Sequence, residues 1–226
     1  MKKTILTFLF VSLITGLEVY SQGKQLTLEE AVIGRWRGLS PENIQELSWI
    51  AEKNEYSFLE NNTLMQGAPR TEKTEKILNL QDLSKIIKKK DQELRRFPRF
   101  SWTESALMSF RHGNQWFLVD PFEKKLVKST TFDDAAKNID FCRTNDHLAY
   151  TIKNNLYIKP FAGDVIQVTS DTNPDIVNGQ EVHRREFGIH SGTFWSPKGK
   201  KLAFYRKDES MVTSYPLVNV NTRIAT

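Results

Sequence analysis

Apolar and polar positions alternate along much of this chain, and the alternating segments recur. Three copies stand out: Phe100-Ser-Trp-Thr-Glu-Ser-Ala-Leu-Met-Ser-Phe110, Phe141-Cys-Arg-Thr-Asn-Asp-His-Leu-Ala-Tyr150 and Phe194-Trp-Ser-Pro-Lys-Gly-Lys-Lys-Leu-Ala-Phe204. In each, an aromatic or apolar residue leads into a polar turn, and a Leu-(Ala/Met)-x-aromatic strand follows. Leu107 and Leu148 lie 41 residues apart, and Leu148 and Leu202 lie 54 apart. Self-similarity at such a period marks stacked units of four strands, none of which can bury its faces alone. The strands predicted from Gln115, Lys125, Leu148, Leu156 and Val165 give three or four per unit, the arithmetic of propeller blades. The pattern thus predicts a mainly all-β fold: a partial β-propeller of the first three to four blades, with a short N-terminal helix and one or two helical insertions.

The remaining elements fit around these copies. Leu26-Thr-Leu-Glu-Glu-Ala-Val32 predicts a short helix capped by Thr27, with Glu29 and Glu30 in its first turn, where the helix dipole favours negative charge. Gly34 and Gly38 end it, and Ser40-Pro41-Glu42-Asn43 offers a second cap-like start. Leu47 to Ala51 and Glu55 to Leu59 read as strand, turn and strand, a degenerate first copy. Apolar spacing at Leu80, Leu83, Ile86 and Ile87 predicts a helix over 77–94, closed by Pro98. A hairpin is expected at Leu148–Ile158, turning on Asn154-Asn155. Between the second and third copies, Asn173–Gly192 reads as an insertion dense in charge. Function often sits in such loops, and a merely solvated loop is the alternative.

Composition refines the picture without changing it. The chain is 39% hydrophobic and 26% charged, ordinary for a globular protein. Met1-Lys-Lys, the apolar run Thr4–Leu17 and Val19-Tyr-Ser21 have the form of a secretory signal peptide cleaved after Ser21. The apolar run is shorter than the roughly 20 residues a membrane-spanning helix needs. The expected division is therefore a signal peptide over 1–21 and propeller over 22–226. The product would be exported, to periplasm or medium, with no membrane attachment after cleavage. A net charge of +5 comes largely from the run Lys85–Arg99. A solvated face explains that run better than a nucleic-acid patch, so no nucleic-acid partner is expected. The single cysteine, Cys142, aligns with Ser101 of the preceding copy and reads as a small core residue. The four histidines lack metal-ligand spacing, so neither metal nor cofactor is expected.

These residues carry a family resemblance. Leu26–Val32, Leu148-Ala-Tyr-Thr-Ile-Lys-Asn-Asn-Leu-Tyr157, Val182-His-Arg-Arg-Glu-Phe-Gly-Ile189 and Phe194–Tyr205 resemble the N-terminal part of the dipeptidyl peptidase IV family of serine peptidases. The likeness is to the exported bacterial branch that includes prolyl tripeptidyl aminopeptidases. The Trp-Ser-Pro-x-Gly turn is common to many propellers, whereas the His-Arg-x-Glu-Phe-Gly stretch before it is specific. The resemblance implies an eight-bladed propeller joined to a C-terminal α/β-hydrolase domain that carries a Ser-Asp-His triad. It implies that the propeller gates access and grips the peptide substrate's free N-terminus through a glutamate in the insertion, here Glu186. Arg184 or Arg185 would steady Glu186 or line the cavity, and Arg111 would contact a substrate carbonyl. It also implies a homodimer.

No Gly-x-Ser-x-Gly elbow occurs, so no residue is assigned as catalytic and this chain alone is not expected to hydrolyse peptides. Two readings stay open: a segment of an exported exopeptidase acting after proline, lacking its hydrolase domain, or, as the alternative, a free-standing binding or scaffold propeller or the product of a decayed gene.

Overall fold

A computed structural model describes residues 25–34, 38–39, 43–88, 94–182 and 186–213. The expected signal peptide, the start at Ser40–Glu42 and the paired arginines Arg184 and Arg185 lie outside the described residues. The chain divides into two units at Asn43. In the first, helix α1 (Leu28–Val32) forms as its sequence predicts. Thr27 accepts a hydrogen bond from the Glu30 N–H, and the Glu30 carboxylate accepts one from the Thr27 N–H, a reciprocal capping box.

The second unit holds three antiparallel four-stranded meanders, followed by two two-stranded ladders that together make up a fourth blade. The first blade contains β1 (Gln45–Trp49), β2 (Tyr56–Glu60), β3 (Thr63–Gly67) and β4 (Thr74–Asn79). The second contains β5 (Phe100–Trp102), β6 (Met108–His112), β7 (Gln115–Asp120) and β8 (Lys125–Thr131). The third contains β9 (Lys137–Cys142), β10 (His147–Ile152), β11 (Asn155–Pro160) and β12 (Ile166–Gln167). A fourth holds β13 (Ile176–Asn178), β14 (Thr193–Trp195), β15 (Leu202–Phe204) and β16 (Arg206–Asp208). This is the mainly β, partial-propeller fold that the repeats predict.

Two-residue turns close the central hairpins. Asn61 and Asn62 both take positive φ, 48° and 57°, between β2 and β3. That is the geometry two-residue hairpins favour, and asparagine tolerates it. In the third blade Ile152 pairs with Asn155, so the turn is Lys153-Asn154, one residue earlier than expected. The strand expected over Val165–Thr169 pairs only at Ile166–Gln167. Beyond it, Val168 and Thr169 donate to the Leu156 carbonyl instead, which ends the ladder.

The pairing also corrects the repeat register. Trp49 pairs with Tyr56, Trp102 with Met108, Phe141 with Leu148 and Trp195 with Leu202. Met108, not Leu107, is therefore the counterpart of Leu148, and both are fully buried. Cys142 consequently corresponds to Thr103 rather than Ser101, and it is buried as expected.

The helix predicted over 77–94 is α2 (Leu80–Ile87). Ile77 and Leu78 belong to β4, because Leu78 pairs with Leu64. Asn79 then breaks the strand by accepting a hydrogen bond from Asp82 N–H as the helix cap. Lys88 ends the helix in the left-handed region. Leu83 and Ile87 join a core with Ile50, Leu64, Trp102, Phe110 and Phe117 that welds the first two blades together. Trp116 stacks on Phe141, with centroids 5.3 Å apart, across the second and third.

A hydroxyl ties one of these seams. Trp102 donates its ring N–H to Ser57 Oγ of the first blade at 2.9 Å, and both residues are buried. In the same register, Trp195 faces the third blade where Ala149 stands in place of serine, and its buried ring N–H finds no acceptor among the described residues. Ser57→Ala should reproduce that orphaned donor in the first seam. We expect it to cost about 1–3 kcal/mol in chemical unfolding, the cost of an unsatisfied buried donor. An unchanged midpoint would mean that the indole finds another acceptor.

Candidate functional site

The charged insertion is shorter than Asn173–Gly192, because part of it is strand. β13 pairs with β16, Ile176 opposite Asp208 and Asn178 opposite Arg206. β14 pairs with β15, Thr193 opposite Phe204 and Trp195 opposite Leu202. Between these ladders, Tyr205 donates its N–H to Gly192 O at 2.9 Å and accepts from Gly179 N–H at 2.8 Å. One continuous strand, 202–208, thus receives two segments end to end on the same edge. The chain between Gly179 and Gly192 leaves that edge and returns to it.

Glycine is needed at both sides of this neck. Gly179 takes φ +67°, and a Cβ there would press on Leu156. A Cβ at Gly192 would overlap the backbone of Gln180. The neck is also clamped by polar groups from the hairpin turn of the third blade. Asn178 is fully buried, and its side-chain amide donates to Asn154 O at 3.1 Å and to Asp171 Oδ2 at 2.9 Å. Its backbone N–H also donates to Asn154 O. Gln180 reaches back to Asn154 Oδ1 at 3.2 Å and Lys153 O at 3.3 Å. Arg206 completes the clamp with an ion pair to Asp171 at 2.9 Å. Hydrogen bonds from Arg206 and then Asn178 hold the Asp171 carboxyl below the usual carboxylate range.

A second polar tie lies beside the return segment. Thr193 donates to Asp140 Oδ2 of the third blade at 2.8 Å. Burial pushes the Asp140 carboxyl upward, partly opposed by the Thr193 hydrogen bond and the charge of Arg143. Asn145 donates to Gly199 O at 2.5 Å in the same seam.

Glu186 stands on the excursion that this neck supports. It opens a single 3-10 turn, Glu186–Gly188, in which Ile189 N–H donates to Glu186 O at 3.1 Å. Phe187 (φ 54°) and Gly188 (φ 71°) turn the chain through the left-handed region. The Glu186 and Phe187 side chains are exposed, the latter by 90%. Arg184 and Arg185 lie outside the described residues. Arg111 is in the second blade, near the end of β6, exposed, with its Nε donating to Gly113 O at 2.8 Å and its guanidinium 5.2 Å from the Phe132 ring centroid. Glu186 and Arg111 therefore sit on different blades, and no hydrogen bond or ion pair joins them among the described residues. Asn154, Asn178, Gly179 and Gly192 went unremarked as supports of the loop. Their signal is the Asn178-Gly179 and Ser191-Gly192 pairs, turn formers bracketing the charged stretch.

Among the described residues, no cluster of His, Cys, Asp or Glu could hold a metal ion, and no helix is long and apolar enough to cross a membrane.

Comparison with known proteins joins this geometry to a family. Residues 100–224 match the profile of the dipeptidyl peptidase IV (DPP IV) N-terminal region. A Metarhizium robertsii protein assigned as a dipeptidyl-aminopeptidase B is 27% identical over 86% of this chain and 25% of its own length. The chain spans about a quarter of the length of the fungal relatives that match 86% of it. A crystal structure from Bacteroides ovatus, assigned as a dipeptidyl aminopeptidase IV, is 38% identical with a TM-score of 0.70, covering 89% of this chain and 28% of its own. Porphyromonas gingivalis dipeptidyl peptidase 4 shares the fold, with a TM-score of 0.59 at 16% identity over 89% of this chain and 30% of its own. With more than half its residues inside the family profile and its blades superposing on these structures, the chain belongs to the dipeptidyl peptidase IV family and holds part of its N-terminal propeller region.

Proposed function

We propose that this chain is the substrate-gripping propeller segment of an exported serine exopeptidase that releases short peptides after proline. In this reading residues 1–21 are removed on export to the periplasm or medium, and 22–226 form the early blades. A hydrolase domain supplies the nucleophile, and the propeller gates access to it. The assembled enzyme is a homodimer. The observation that carries the reading is the loop with a clamped neck in the fourth blade, on which Glu186 is exposed.

A carboxylate so held can accept charge-assisted hydrogen bonds from a substrate ammonium. It then acts as a ruler, fixing how many residues lie between the amine and the bond to be cut. Arg111 contacts a substrate carbonyl near that end, and Arg184 or Arg185 steadies Glu186 or lines the cavity.

In the full-length enzyme, Glu186→Gln should lower kcat/KM for free-amine Xaa-Pro substrates about 100-fold, the loss of roughly 3 kcal/mol of charge-assisted bonding. Turnover of an amino-acetylated analogue should not change. Equal loss on both substrates, or on neither, would remove Glu186 from this role. Coding sequence beyond the Thr226 codon that contains a Gly-x-Ser-x-Gly elbow would support the enzyme reading.

A further inference from the structure

The basic run that reads as a solvated face in sequence is exposed where it is described, and its C-terminal end also borders a cleft. Arg95, Arg96 and Arg99 lie on the stretch entering the second blade, and all three are exposed. They line a cleft of about 1360 Å3 together with Arg111 from β6. Residues separated in sequence and carried on different elements thus bring four arginines to the border of one space. Among the described lining residues the only carboxylate is Glu46, whose Oε1 lies 3.8 Å from Arg99 Nε. Arg95 and Arg96 make no ion pair with a described residue. Phe100 and Trp116, both half-buried, also border the cleft, whereas Phe97 and Phe110 beside them belong to the buried core.

The chemistry of the space follows from these groups. Guanidinium groups keep their charge at any working pH and present paired N–H donors that match a carboxylate. Four of them around one recess raise the local concentration of anions. The cleft is larger than the roughly 300–1,000 Å3 of a small-molecule site, which suits an extended chain. The half-buried rings of Phe100 and Trp116 give the apolar part of that chain something to lie against.

We infer that this cleft binds acidic peptide segments, so that substrates carrying Asp or Glu close to the free N-terminus are preferred. The inference rests on the peptide-gripping role proposed above, and Arg111 links the two. The guanidiniums take the acidic side chains, while the amine is held elsewhere.

The test is a calorimetric titration of this chain with two peptides that differ only at two positions, Glu in one and Gln in the other, both beginning Xaa-Pro with a free amine. The Glu peptide should bind roughly fivefold tighter at low salt, the yield of two exposed ion pairs. That advantage should vanish at high salt. It should also vanish in an Arg95→Ala/Arg96→Ala double variant, which leaves the affinity for the Gln peptide unchanged. Because both side chains are exposed, this variant should keep the parent's unfolding midpoint. Equal affinities, an advantage that survives the double substitution, or no binding of either peptide would overturn the inference. Acetylating the amine separates the two proposals. An acid preference that persists while acetylation changes nothing would leave the cleft standing and remove the amine grip.

Discussion

Phe110→Ala is expected to lower the unfolding free energy by about 4 kcal/mol, as large-to-small changes at a buried aromatic do. Phe110 is 1% exposed and stacks on its cross-strand neighbour Phe117 at 5.3 Å and 17°. It pairs with Phe100 on its other side and lies in the core shared by the first two blades. Removing the ring leaves a hole bounded by two sheets and a helix, none of which can close in without breaking its own ladder. The loss therefore includes both transfer and cavity contributions. Phe187→Ala is the control: with that side chain 90% exposed, unfolding should be unchanged. A loss below about 1.5 kcal/mol at Phe110 would mean that the seam between the blades is loosely packed.

Gly192→Ala is expected to cost about 3 kcal/mol, at the upper end for overpacking. The added methyl would meet the carbonyl carbon, nitrogen and oxygen of Gln180, which are backbone atoms and cannot rotate away. Relief requires prising Gly192 away from Tyr205, breaking the bond between the Tyr205 N–H and Gly192 O that closes the neck. The effect should therefore appear in two measurements at once. The unfolding midpoint should fall, and the Ile189 amide, which bonds to Glu186 O, should exchange its hydrogen faster. A lowered midpoint with unchanged exchange at Ile189 would show that the neck does not govern the turn bearing Glu186.

The blades were legible in sequence because each is local. A hairpin such as Leu148–Ile158 announces itself through its turn asparagines and the strand pattern on either side. What sequence missed was non-local or shared. Ile176–Asn178 is three residues long, and its partner Arg206–Asp208 is all charged, so neither segment carries a strand pattern of its own. Only the continuous strand they share makes them pair. The helix over 77–94 was overdrawn because Ile77 and Leu78 satisfy a helical spacing while serving a strand. The one-residue offset at Leu107 arose because two adjacent apolar residues fit the repeat, and only the pairing of Trp102 with Met108 separates them. For the proposed site, resemblance points to Glu186, whereas no resemblance points to the basic cleft. Nothing in a linear run tells which arginines will share a space with one on another strand.

The split strand of the fourth blade has a consequence for how such a protein can change. Both ends of the 180–191 excursion are anchored to one edge, so its length is independent of the sheet that bears it. A doubled loop adds only about 0.6 kcal/mol of closure entropy, and no blade need shift to accommodate it. The neck works as a socket: the reach of whatever is plugged into it can be lengthened or cut back by insertion and deletion while the propeller stays the same. If Glu186 measures substrate from this socket, then the number of residues removed per cut is a property that evolution can adjust in one loop.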